Sequence, residues 1–430
     1  MINHNKLIIA AVGASAALSS GAASAVEFQT SDWTFSATGN VNVHYIYTMC
    51  DDSPDVVAGS LLCGVNSVPD PVTGLGVEDD NSSSIGTGLL PAAVVFGAST
   101  TQNDIDIGTT IGFYPGVATN DFGPNGPNLR GDLFQPGLGT TNMDIRQVFL
   151  TFGNETMGTF KFGRDFGLFG FDAIINDMTI PGVGPATNAT ARAPANTTLG
   201  SIGYGYIYTD TPTQINYQTP SIGGLTGTIG IFQPYDSLNL SGLSSGTTGS
   251  TSEEPGFHGK LAYEWAGGVP GFVSGSFITQ DATQLTFADA VVKDNERAWA
   301  ADVTAKATFG GLDVLGSYYT TKGWGHTGFL FDGFDPTGEA RDSDGYLAQV
   351  TYTIANTKFG VNYGVNSLDA NAVDTDPTLL DENSKYTLGV YHNLTPNLTL
   401  LAEYSDAESE NQEGGTIETE NFNVGAFVAF

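Results

Sequence analysis

Between Trp33 and Thr48, the residues Trp33, Phe35, Ala37, Gly39, Val41, Val43, Tyr45 and Tyr47 fall on one parity and mostly polar residues on the other. A period of two marks a β-strand with one apolar face. The run is about three times as long as an ordinary globular strand, and suits one that crosses a bilayer at a tilt and continues beyond it. The pattern recurs in Ile105, Ile107, Thr109, Ile111 and Phe113, and again in Phe257, Gly259, Leu261, Tyr263 and Trp265. Further copies run from Trp299 to Phe309, Leu312 to Tyr318, Tyr346 to Ile354, Phe359 to Val365, Tyr386 to His392, Leu398 to Tyr404 and Phe422 to Phe430. Sixteen such segments are expected in all, which predicts an all-β chain.

The connections alternate in length. Gly153 to Gly158, Gly267 to Gly271, Gly310-Gly311, Ala355 to Thr357 and Leu394 to Asn397 are short, whereas Cys50 to Gly88, Pro115 to Asn142, Phe166 to Ile202, Pro234 to Pro255, Gly323 to Ser343 and Leu368 to Asn383 are long. A barrel inserted from one side of a membrane has turns on one rim and loops on the other. The chain also ends on an alternating strand. In a barrel the first and last strands pair, because an unpaired edge in hydrocarbon costs several kcal/mol per backbone group. A transmembrane antiparallel β-barrel of sixteen strands is therefore the expected fold, with an apolar outer band and a polar interior. Trp33, Tyr45, Tyr47, Tyr263, Trp265 and Trp299 are candidates for its interfacial girdles.

Composition narrows the class. Glycine is abundant at 56 of 430 residues, and only 14% of side chains are charged. Acidic residues outnumber basic ones 46 to 14, so the chain would repel a nucleic-acid backbone. Lys6, an apolar stretch from Leu7 to Leu18, and Ala23-Ser24-Ala25 read as a secretory signal over residues 1–25, leaving 26–430 as the barrel. Losing Lys6 changes the balance to 13 − 46 = −33. No apolar run reaches the roughly 18 residues of a spanning helix. Cys50 and Cys63, the two cysteines, lie in a turn-rich segment of an exported chain and are expected to form a disulfide.

Two segments carry a family resemblance. Asp144-Ile145-Arg146-Gln147-Val148-Phe149-Leu150-Thr151-Phe152-Gly153 followed by Gly158-Thr159-Phe160-Lys161-Phe162-Gly163-Arg164-Asp165 resembles strands four and five of the general trimeric porins of Gram-negative bacteria. Phe171-Asp172-Ala173, ending Asn176-Asp177-Met178, resembles the start of their constriction loop. The resemblance implies three barrels per assembly in outer-membrane lipid, and a third loop, Phe166 to Ile202, folded inward to narrow a pore for ions and small hydrophilic solutes. It further implies acids on the loop facing arginines on the wall, with Asp177 and Arg146 as the matching positions. Pro181-Gly182-Val183-Gly184 lacks the family's second loop acid, and Leu89 to Thr101 supplies no arginine. Arg192 places a positive charge within the loop. Arg146, Arg164, Asp165, Asp172, Asp177 and Arg192 are the candidate constriction residues.

Arg146 faces either the lumen or interfacial water; the lumen is preferred, since an arginine facing lipid at mid-depth costs about 2–4 kcal/mol. The acid-rich stretches Asp332, Asp335, Glu339, Asp342, Asp344 and Asp406, Glu408, Glu410, Glu413 read as solvated loops without EF-hand spacing. Gly242-Leu243-Ser244-Ser245-Gly246 matches GxSxG but lacks the flanking strand and helix that hold a hydrolase serine on its elbow. His4, His44, His258, His326 and His392 are scattered without metal-ligand spacing, so no metal, cofactor or enzymatic step is expected. The net acidity favours cations as permeants. Two alternatives stand: a channel selective for one solute class, for which Tyr204, Tyr206 and Tyr208 share a parity, and a secreted β-rich surface protein.

Overall fold

The computed structural model describes residues 26–51, 53–62, 81–117, 143–186, 197–236, 239–248, 252–285 and 292–430. The expected signal segment, Cys63 and Arg192 lie outside them. The strands are β1 (Val26–Gln29), β2 (Thr34–Cys50), β3 (Ser82–Gly86), β4 (Ala93–Gln102), β5 (Ile105–Pro115), β6 (Met143–Asn154), β7 (Gly158–Arg164), β8 (Thr213–Gln218), β9 (Leu225–Phe232) and β10 (Gly246–Thr248). They continue as β11 (Gly256–Trp265), β12 (Gly271–Leu285), β13 (Val292–Phe309), β14 (Leu312–Lys322), β15 (Asp342–Ile354), β16 (Thr357–Leu368), β17 (Leu380–Thr395), β18 (Leu398–Asn411) and β19 (Thr416–Ala429). A single short helix, α1 (Phe171–Asn176), is seen among the described residues.

Each long strand pairs antiparallel with the next, and β19 returns to pair with β2, Val424 opposite Tyr45 and Ala429 opposite Asn40. Sixteen strands thus close a wall, the count that the alternating segments predict. Backbone bonds between Gly39 and Phe430 in both directions, 2.8 and 3.0 Å, fasten the chain's last residue to the first wall strand. The three remaining strands are additions. β1 extends the line of β19 along the edge of β2, β10 pairs with the end of β12, and β3 carries the line of β4 up the other half of β2.

The wall is apolar outside and polar inside. On β2, Val41, Val43 and Tyr45 are exposed while Thr38, Asn40, Asn42, His44 and Thr48 are buried; on β17, Leu388 and Val390 are exposed while Lys385 and Thr387 are buried. This is the reverse of a water-soluble barrel, and it fits a wall in lipid around a polar lumen. It is inconsistent with a secreted protein whose apolar faces pack on one another. Tyr318, Tyr346, Tyr363, Tyr386, Tyr404, Phe422 and Tyr47 occupy neighbouring outward positions across β14 to β19 and β2, forming one aromatic girdle. Tyr352 and Phe359, opposite each other near the short turns, mark the other. Tyr346 and Tyr352 are six residues apart, about 20 Å along a tilted strand, so the two rings of aromatics bracket the apolar band between them.

Short turns join the strands on one rim, including Gly310-Gly311 and the pair Asn103-Asp104, whose φ values of 51 and 62 suit the tight turns that follow strand twist. The longer connections sit on the other rim. Three sequence expectations shift. The second wall strand starts at Ala93 rather than Leu89, because residues 87–92 leave the sheet between β3 and β4. Asp342 and Asp344 belong to β15, and Asp406, Glu408 and Glu410 to β18, all as outward strand positions beyond the girdle rather than loop residues. The strands outlast the membrane, so polar residues extend the sheet where apolar periodicity has stopped. Tyr204, Tyr206 and Tyr208 are not strand residues either: they lie in the connection between β7 and β8, where Tyr204 and Tyr206 are buried.

Candidate functional site

The described parts of the connection between β7 and β8, residues 165–186 and 197–212, lie in the barrel interior, and inward side chains of the distant wall hold them there. Gln349 on β15 accepts from Met178 N at 2.7 Å and donates to Asn176 O at 2.8 Å. Glu403 on β18 accepts from the backbone N–H groups of Val183 and Gly184 at 2.7 and 2.9 Å, and from the Tyr391 hydroxyl at 2.6 Å. Asn421 on β19 accepts from Ala186 N at 3.0 Å, and Asn366 on β16 accepts from Gly205 N at 2.6 Å. Each anchor satisfies a backbone group that the loop carries into a space without secondary-structure partners. Small residues permit the contact: a Cβ on Gly364 would stand 1.9 Å from Tyr204 O, and one on Gly88 would stand 1.8 Å from Gly182 O. The loop tip also binds the wall break, through Leu89 N to Gly182 O at 2.8 Å and Thr198 N to Gly88 O at 3.1 Å.

The acids of this loop are tied into its support. Asp172 accepts from Lys260 Nζ on β11 at 3.1 and 3.2 Å. Asp177 is buried and accepts from the Tyr206 hydroxyl at 2.9 Å, the N–H groups of Thr179 and Ser201 at 3.0 and 3.2 Å, and Asn362 Nδ2 at 3.3 Å. Asp165 accepts from Gln147 Nε2 at 2.8 Å and forms an ion pair with Lys161. Arg164 donates to the Thr211 hydroxyl at 3.3 Å. Arg146 donates Nε to Asp144 at 2.8 Å, and its guanidinium lies 5.7 Å from the centre of the Tyr114 ring. Lys306 lies 3.6 Å from Asp313. Most interior bases therefore have a carboxylate partner. Lys385 instead donates to Asn362 Oδ1 at 2.8 Å, and Lys358 lies 4.5 Å from the Tyr391 ring centre.

A cavity lies between the loop and the wall of β2, β4, β5 and β6. Phe166, Ile174, Ile175, Ile180 and Ile202 line its loop side, and Leu89, Leu90 and Pro91 its wall side, with Arg146, Tyr114 and Tyr208 at the polar end.

The long-loop rim is clasped by Arg341, which is fully buried. It binds Asp374 through Nε at 2.8 Å and Nη2 at 2.6 Å, and donates Nη1 to Ser244 Oγ at 2.7 Å and Asp332 O at 2.8 Å. Ser244, the centre of the GxSxG match, donates to Asp332 Oδ1 at 2.8 Å. The serine motif is thus part of an inter-loop clasp.

The sequence pointed to the connection after β7 and to Arg146, which lines the cavity, but not to the anchors Gln349, Asn362, Asn366, Glu403 and Asn421. Their signal was modest: uncharged or single acidic residues on the inward parity, where any polar residue satisfies the alternation.

A closed antiparallel wall, apolar outside and largely polar within, with the described part of the β7–β8 connection folded inside it, defines a transmembrane channel barrel. A Gram-negative porin family model matches residues 10–412, and the chain belongs to that family. Among solved structures it is similar to the outer-membrane channel DcaP of Acinetobacter baumannii, at 13% identity and a TM-score of 0.65, covering 94% of this chain and 99% of that one. It is also similar to an anion-selective porin from Comamonas acidovorans, at 14% identity and 0.57, covering 93% and 100%. A third likeness is to OmpF of Salmonella typhi in complex with daunomycin, at 12% identity and 0.56, covering 94% and 100%. Comparison with curated protein sequences gives no match. The protein is an outer-membrane porin.

Proposed function

We propose that the chain is a passive diffusion channel for ions and small hydrophilic solutes, with no energy coupling and no chemical step. The observation that carries this reading is the inverted wall, apolar outside, around an internal loop anchored by inward polar side chains of the strands and packed in part against inward apolar ones such as Leu315 and Leu347. Arg146 is the charged group of the constriction. Arg164, Asp165, Asp172 and Asp177 position the loop and its base. Permeation through such a lumen is limited by width and by the charges near the path. The acid excess favours cations at the long-loop mouth, where Asp342, Asp344, Asp406, Glu408, Glu418 and Glu420 stand at strand ends, while interior charges are largely paired. The short-turn rim faces the periplasm and the long loops the exterior. Cleavage after Ala25 releases the mature barrel, which assembles as a trimer. Cys50 pairs with Cys63 across the first long loop; no cysteine among the described residues is free. Liposome swelling with neutral sugars of increasing size tests the reading. Entry that slows steadily with solute size supports it, and equal exclusion of every sugar by the folded protein contradicts it.

A further inference from the structure

The cavity beside the loop has aliphatic side chains on both banks. Ile174, Ile180 and Ile202 face it from the loop, and Leu89 and Leu90 from the wall; among the described residues Arg146 is the one charged side chain that lines it, with Asn40, Tyr114, Thr197 and Tyr208 as its polar neighbours. Asp144 takes Arg146 Nε from the side, with its own carboxylate 41% exposed against 13% for the arginine side chain. Solvent therefore screens the acid more than the guanidinium. A sugar entering this slot sheds water from hydroxyls that find few partners on aliphatic walls. A flat hydrocarbon with one carboxylate fits the same chemistry: its body displaces water from isoleucine and leucine, and its head meets a guanidinium set between two phenols. We propose that this slot is a binding subsite for small monocarboxylates with an apolar body, such as an aromatic acid, with Arg146 and Ile180 determining specificity. The proposal rests on the channel reading and adds a saturable step for one solute class.

The test is conductance of the purified full-length protein in KCl at constant ionic strength, with added benzoate, acetate or benzyl alcohol. Benzoate is expected to lower the current saturably, at a half-blocking concentration about tenfold below that of acetate, which lacks the ring, or benzyl alcohol, which lacks the charge. Arg146→Gln raises the half-blocking benzoate concentration about tenfold, and Arg146→Lys raises it less, because lysine keeps the charge without the fork. Ile180→Ser weakens benzoate and leaves the response to acetate as it was, which keeps the proposal testable if the arginine variants do not fold. Equal action of benzoate and acetate on a conducting channel, or benzoate block unchanged in conducting Arg146→Gln, overturns the subsite while the porin stands. Absence of KCl conductance from folded protein overturns the channel reading itself.

Discussion

Glu403 shows how much one inward side chain decides. Its carboxylate holds two backbone N–H groups at the tip of the internal loop and the hydroxyl of Tyr391. Hydrogen bonds to a charged group contribute about 1.5–3 kcal/mol each, so Glu403→Ala releases the tip. Single-channel recordings of that variant should show higher open-channel noise and a larger mean conductance, whereas Asn423→Ala, which removes one bond to Gly184 O, should change both less. Arg341 acts likewise among the long loops. Asp374→Ala leaves its guanidinium buried without its carboxylate, a loss of about 3–5 kcal/mol. Limited proteolysis should then cut the segment 323–341 faster while the wall stays intact.

The same clasp gives a pH dependence. Burial pushes the Asp335 carboxyl up, but bonds from Asn371, Thr337 and the N–H groups of Glu339 and Thr337 outweigh it and hold the carboxyl below its ordinary 3.8. A lowered carboxyl stabilises the loop fully above that ordinary value and loses the contribution as pH falls through the folded value. Proteolysis of residues 323–341 should therefore be slow and constant from pH 7 to 5 and accelerate below about pH 4. In Asp335→Asn that acceleration should shrink.

At the scale of elements, the outward parity is what lipid reads. Val390, in the apolar band of β17, and His392, at its short-turn end, are both exposed on the outer face. Val390→Arg should cost about 2–4 kcal/mol of folding in phospholipid and His392→Arg about 0–1, measured by urea titration of the folded fraction. This depth dependence explains why the wall was legible in the sequence: the outer face of β2, β14 and β18 is under a constraint that leaves a period of two. The lumen is under a weaker one, so the break at residues 87–92 and the loop anchors left little trace. Arg146 stands out in the sequence because an arginine at mid-depth facing lipid is costly, and its side chain does lie on the inner side of β6. Asp177 stands out through its neighbours in sequence, but its partners lie farther along the same connection, at Ser201 and Tyr206, and on β16, at Asn362, and only the fold brings them together.

At the scale of the molecule, closure is the decisive event, because a sheet left open within the bilayer exposes a whole edge of backbone groups. The final strand supplies that edge's partner, and Phe430 completes it against Gly39 and Thr38. A chain truncated before Thr416 should fail to acquire the compact, heat-modifiable mobility of a folded barrel on an unboiled gel. Closure also makes the interior a separate aqueous compartment, so the position of each charge inside matters more than the net −32 of the chain. The measurement that addresses this most directly is the current through single molecules of the folded protein in a planar bilayer over a range of KCl concentrations. A water-filled passive channel gives stepwise openings whose conductance rises in proportion to the bulk conductivity of the salt. Folded protein that inserts and yields no steps would contradict the account.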